Sequence, residues 1–123
     1  VKYVILLHSN PDFAARFEAL TPEQRSRFGS DHMALTRELT ASGELVVSEG
    51  LADPSLARWV STAQARPVVS DGPFAETKEH LAGFYLVDVE SAARAEEIAA
   101  RVPDAVWGLV EVRPVLDTSG WDV

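Results

Sequence analysis

Few side chains in this sequence combine reactive type with telling position, and His32 is the most informative of them. Phe28, His32, Leu35 and Leu39 recur at i, i+4, i+7 and i+11. On a helix that spacing puts all four in one narrow stripe turned toward the interior. An imidazole supported by a carboxylate can titrate near neutral pH and act as a general acid or base. The same position equally suits a histidine that only satisfies its two ring nitrogens within a core. The candidate carboxylate is Asp71, which opens Asp71-Gly72-Pro73-Phe74. An Asp can hydrogen-bond the backbone of the turn it begins, Gly tolerates positive φ, and Pro fixes φ. The turn either closes a hairpin strand and does nothing more, or holds Asp71 where it orients the imidazole.

The segment that follows, Ala75-Glu76-Thr77-Lys78-Glu79-His80, is dense in charge. It reads as a solvated helical turn with Glu76 in reach of Lys78 or His80. The three histidines, His8, His32 and His80, include no pair at the H-x-x-x-H spacing that fixes two ligands on one helical face, so no metal is expected. The sequence has no cysteine, which removes disulfides, thiolate ligands and a Cys nucleophile. It also has no Gly-rich phosphate loop and no G-x-S-x-G elbow, and no cofactor is expected. Trp59, Trp107 and Trp121 are expected to fill core or interface positions.

The whole chain sets bounds on these readings. It has 123 residues, with 19 acidic against 11 basic and a net charge of −8. That length fits a single domain, residues 1–123, burying roughly two-thirds of the surface its unfolded chain exposes. An acidic protein lacks the basic face that nucleic acid requires, so no nucleic-acid partner is expected. The apolar run Val4 to Leu7 is far too short to span a membrane, and a cytoplasmic location is expected.

The positioning elements follow from pattern and punctuation. Tyr3 to His8 reads as a strand apolar on both faces, broken by Asn10-Pro11-Asp12. Thr21 and Gln24 form a capping box for the main helix, with Pro22 where a missing N–H costs nothing, and the helix runs to about Ser42 with Gly43 as its left-handed terminator. Phe13 to Leu20 suits a short helical turn before it, and Gly29-Ser30-Asp31 is a point where the long helix could break. Glu44 to Gly50 reads as a strand, and Leu56 to Thr62 with Pro67 to Ser70 as a hairpin joined through Ala63 to Arg66. Gly83 to Val89 is a strong strand. Ser91 caps a helix with Ala95, Ile98, Ala99 and Val102 on one face, Pro103 stops it, and Val106 to Val115 is the last strand. This order predicts an α+β fold, most simply a ferredoxin-like split βαβ with an inserted β-hairpin. Two helices cover only one face of such a sheet, which makes a homodimer the natural cover for the other.

Asp71-Gly72-Pro73-Phe74-Ala75-Glu76-Thr77-Lys78-Glu79 and the following Leu81 to Val89 closely resemble the signature of the DGPF-motif branch of the YCII-related (YciI-like) family. Lys2-Tyr3, Gly50-Leu51, Ala100-Arg101-Val102-Pro103 and Val110 to Val115 resemble its other landmarks, so the likeness covers essentially the whole chain. The resemblance implies a ferredoxin-like fold that pairs sheet to sheet as a dimeric α/β barrel. It also implies a His/Asp pair in a pocket, matched here by His32 and Asp71. Relatives of this kind include a dehydrochlorinase of chlorinated rings, and the barrel is similar to that of muconolactone isomerase. Some members are encoded beside sigma factors. The expected function is therefore a cofactor-independent enzyme of lyase or isomerase type, acting by general acid/base chemistry on a small ring or organic acid. The alternative is a non-enzymatic dimeric module that binds a small ligand or serves regulation, linked to sigma factors.

Overall fold

The structure, a computed structural model, describes residues 1–72 and 79–121. Strand β1 (Lys2–Ser9) leads into helix α1 (Pro11–Glu18). The Asn10 side chain accepts the Phe13 N–H at 2.8 Å, so the residue that breaks the strand also caps the helix. Helix α2 (Pro22–Ser42) starts at the capping box, with Thr21 and Gln24 each accepting the other's backbone N–H. It runs unbroken through Gly29 and ends at Gly43, whose φ of 80° places it in the left-handed region. Strand β2 (Leu45–Gly50), hairpin strands β3 (Arg58–Ser61) and β4 (Val68–Asp71), and the long β5 (His80–Asp88) follow. Helix α3 (Ala92–Ala100) is capped by Ser91, a 3-10 turn spans Pro103–Trp107, and β6 (Val110–Pro114) closes the order.

The main sheet has four strands in the order β2-β5-β1-β6, with every neighbouring pair antiparallel. Strand alternation puts Ile5, Leu7, Tyr85 and Val87 on one face. They are buried there with Leu35 and Leu39 of α2 and with Ala95, Ile98 and Ala99 of α3. The opposite face carries Val4, Leu6, Phe84 and Leu86, all half-buried, with Val4 opposite Leu86 and Leu6 opposite Phe84. A polar clamp ties the helices together at the start of β2. Arg94 Nε and Nη2 each donate to Glu44 at 2.8 Å, and Ser42 donates to the same carboxylate. The Arg94 and Ser42 hydrogen bonds hold the Glu44 carboxyl down at about 2.

The α+β class stands, and its expected assembly is corrected. A ferredoxin-like split βαβ with an inserted hairpin, closing as a dimeric α/β barrel, is not what the chain forms. The four-stranded sheet is open, with β2 and β6 as its edges, so no barrel closes. The hairpin does not enter that sheet either: β3 and β4 pair with each other as a separate two-stranded sheet. Among the described residues the α-helices number three, because Asn10 caps a true helix where a short helical turn is expected. The last strand begins at Val110, not Val106, because Gly108, at φ 69°, ends the 3-10 turn first. No helix among the described residues is long and apolar enough to cross a membrane.

Candidate active site

His32 lies where its stripe predicts, on the sheet-facing side of α2, one turn before the buried Leu35 and two before Leu39. Its Nε2 is 2.7 Å from Asp104 Oδ1, and its Nδ1 is 2.6 Å from the Tyr85 hydroxyl. Asp104 is 4% exposed and is the one buried charged side chain among the described residues. An ionised carboxylate only accepts, so Nε2 must carry a hydrogen; in the neutral ring Nδ1 then offers its lone pair, and the Tyr85 hydroxyl donates to it. Burial pushes the Tyr85 phenol above its ordinary value, the nearby Thr36 hydroxyl draws it down, and the Asp104 charge raises it again. The Thr36 hydroxyl itself donates to the His32 carbonyl at 3.0 Å. Three elements therefore converge: α2 supplies the imidazole, β5 the phenol, and the 3-10 turn the carboxylate.

Aromatic rings surround this polar line. His32 stacks on Tyr85 with centroids 6.0 Å apart and meets the edge of Phe28 at 5.0 Å. Phe28 in turn touches Phe17 and Trp107, and Phe13 packs edge-on to Trp107 at 5.0 Å. Helix α1 thus delivers Phe13 and Phe17 to a ring cluster that shields one side of the imidazole. On another side, His32 and Tyr85 line a cavity of about 90 Å³ with Leu7, Ser48, Glu49 and Phe84. That volume exceeds the roughly 10–15 Å³ a single water requires, so the space suits a small ligand or several waters.

Asp71 is elsewhere. It ends β4, is 81% exposed, and pairs with Arg58 across the hairpin at 3.4 Å. The acid that meets His32 is Asp104. Gly72, next to Asp71, is packed tightly: a Cβ there would fall 2.5 Å from Trp59 Nε1. Gly72 therefore packs the end of the hairpin closely against Trp59. Pro73, Phe74 and the 75–78 part of the charged segment lie outside the described residues.

The other histidines are placed apart. His8 Nε2 is 2.9 Å from Glu111, which also pairs with Arg113. His80 lines a separate cavity of about 340 Å³ with Asp53, Leu51, Leu56 and Trp59. Among the described residues no group of three His, Cys, Asp or Glu could hold a metal ion. The tryptophans divide: Trp107 joins the aromatic cluster, whereas Trp59 is 44% and Trp121 71% exposed.

Asp104 and Tyr85 were missed by sequence reasoning, yet each left a signal. Asp104 is the lone charged residue in the stretch 102–110, otherwise apolar apart from Pro103 and Gly108. An acid embedded in such a run needs a partner when it is buried. Tyr85 alternates with Val87 on the core face of β5, so its hydroxyl also needed a buried partner.

Comparison with known proteins places the chain in a family at the level of the YCII-related domain. The chain is 32% identical over 115 residues to an uncharacterized protein of Rhizobium meliloti (strain 1021), covering 92% of this chain and 90% of that protein. Residues 1–119 match the YCII-related domain, and the chain belongs to the YCII-related domain family.

Proposed function

We propose that the protein is a cofactor-independent enzyme of lyase or isomerase type, acting by general acid/base chemistry on a small ring or organic-acid substrate. The observation that carries this reading is the His32–Asp104 pair, a buried carboxylate on an imidazole that borders a cavity. In such a pair the carboxylate fixes the ring's tautomer and stabilises the imidazolium as a proton arrives. Asp104 takes the role that sequence reading gave to Asp71. The run Asp71 to Glu79 supports placing the chain in the DGPF-motif branch of its family.

The test is a panel of small unsaturated lactones and chlorinated ring compounds, incubated in D2O and followed by proton NMR for product or incorporated deuterium. Wild-type turnover is expected with at least one compound. His32→Asn should lower it by about 100- to 10,000-fold, the usual worth of a positioned acid or base. Full activity in that variant would move the protein into the class of ligand-binding or regulatory modules.

The reading includes a homodimer joined over the open sheet face. Val4, Leu6, Phe84 and Leu86 form a contiguous apolar surface there, outside the core cluster. Such an interface should bury on the order of 1,500 Å² or more. Sedimentation at micromolar concentration should give the dimer mass; a monomer would remove this part of the proposal.

A further inference from the structure

We infer that Tyr85 is the group that exchanges a proton with the bound substrate, with His32 behind it as its base and Asp104 behind His32. This rests on the acid/base reading above and assigns the atom at which that chemistry occurs. Both nitrogens of His32 are already engaged, Nε2 by Asp104 at 2.7 Å and Nδ1 by the Tyr85 hydroxyl at 2.6 Å. An imidazole in this state has no free lone pair to offer a ligand, and gaining one would mean breaking a buried hydrogen bond. The next group along the line is the phenol oxygen. While it donates its hydrogen to Nδ1, it keeps lone pairs that can accept another. Tyr85 lines the same cavity as His32, beside Ser48 and Glu49.

The surroundings suit a relay. With Tyr85 only 4% exposed, bulk water does not compete for its hydroxyl. The phenol hydrogen goes to Nδ1 when the ring is neutral and turns to the bound substrate when Nδ1 is itself protonated. Proton transfer can reverse without leaving any buried donor unpaired.

The step balances without an added reactant. A substrate C–H or O–H proton passes to the Tyr85 oxygen as the phenol proton passes to His32 Nδ1. The substrate keeps the electron pair of the broken bond, and the new imidazolium lies against the Asp104 carboxylate. The return transfer sends the imidazolium proton to Tyr85 and the phenol proton to a different substrate atom for isomerisation, or to a departing group for elimination. The substrate class this requires is a small molecule with an acidic C–H or O–H that fits, at least in part, a cavity of about 90 Å³.

Two measurements on the full chain decide the inference. In the ligand-free protein, nitrogen-15 NMR should find His32 protonated at Nε2 with Nδ1 as a hydrogen-bonded lone pair, and Tyr85→Phe should move only the Nδ1 signal. A neutral ring protonated at Nδ1 would overturn the relay, because the phenol could not then pass its proton to that nitrogen. On the lactone and chlorinated-ring panel, Tyr85→Phe should lower turnover at least 100-fold, close to the loss in His32→Asn. The double variant should lose little more, since the two residues act as one unit. Full turnover in Tyr85→Phe alongside an inactive His32→Asn sinks this inference and leaves the acid/base reading standing. No wild-type turnover with any compound sinks both.

Discussion

Replacing His32 with leucine is expected to destabilise the protein by about 3–5 kcal/mol, because it leaves a buried carboxylate without its partner. Asp104 is 4% exposed, and His32 Nε2 donates to it at 2.7 Å. Replacing Asp104 with leucine should cost less, about 1–3 kcal/mol, because a neutral imidazole loses only a partner for one N–H. The asymmetry follows from charge: aspartate must be desolvated as an ion, whereas the ring can be neutral. The double replacement should be milder than the sum of the singles, with a coupling of about 0.5–3 kcal/mol, since an apolar pair of similar volume tolerates the site. Urea denaturation of the four proteins measures this. Additive losses would show that the two side chains do not stabilise each other, and the pair would lose its place at the centre of the site.

The same residues show what a sequence can and cannot reveal. The helical stripe placed His32 against the sheet because periodicity records which face is buried. The cap residues placed the ends of α2 because Thr21, Gln24 and Gly43 answer backbone groups a few positions away. Both signals are local. The partner of His32 is 72 positions away and the phenol 53, and nothing local links them. Asp71 was the more visible acid because its turn chemistry is conspicuous in sequence. Asp71 itself belongs to the hairpin, where its neighbour Gly72 lies against Trp59 and donates its N–H to Ala57 at 2.7 Å.

Strand existence and the β3–β4 hairpin pairing were legible from the sequence, whereas the hairpin's separation from the main sheet was not. The hairpin strands β3 and β4 are short, and all their residues are exposed, so no buried face tied them to the main sheet. Nor did alternation reveal whether the sheet closes, since closure depends on what its edge strands meet. The expected barrel came from resemblance, and the open order β2-β5-β1-β6 corrects it. Only Val106 and Trp107, the end of the 3-10 turn that holds Asp104, read as the start of the last strand, because both are apolar in either conformation.

The seam between β2 and β5 offers a second large effect, with a control built into it. Gly50 and Gly83 face each other across the two strands. A Cβ at Gly83 would sit 2.9 Å from the Glu49 carbonyl oxygen and 3.3 Å from Gly50 Cα, both backbone atoms that cannot rotate away. A Cβ at Gly50 would meet nothing within 4 Å. Gly83→Ala should therefore destabilise by about 1–3 kcal/mol through overpacking. Gly50→Ala should be neutral or stabilise by about 0.4–1 kcal/mol, because alanine restricts the unfolded chain without strain in the strand. The clash also bears on the site, since Ser48 and Glu49 form the β2 wall of the cavity beside His32. Forcing β2 outward at Glu49 should widen that cavity, so Gly83→Ala should weaken turnover on the lactone and chlorinated-ring panel as well as stability. Urea midpoints for both variants and turnover for the folded Gly83→Ala protein test the two halves together. Equal stability in the two variants would mean that β2 yields freely at Glu49. A rigid β2 wall would then no longer explain how the cavity is held beside Tyr85 and His32.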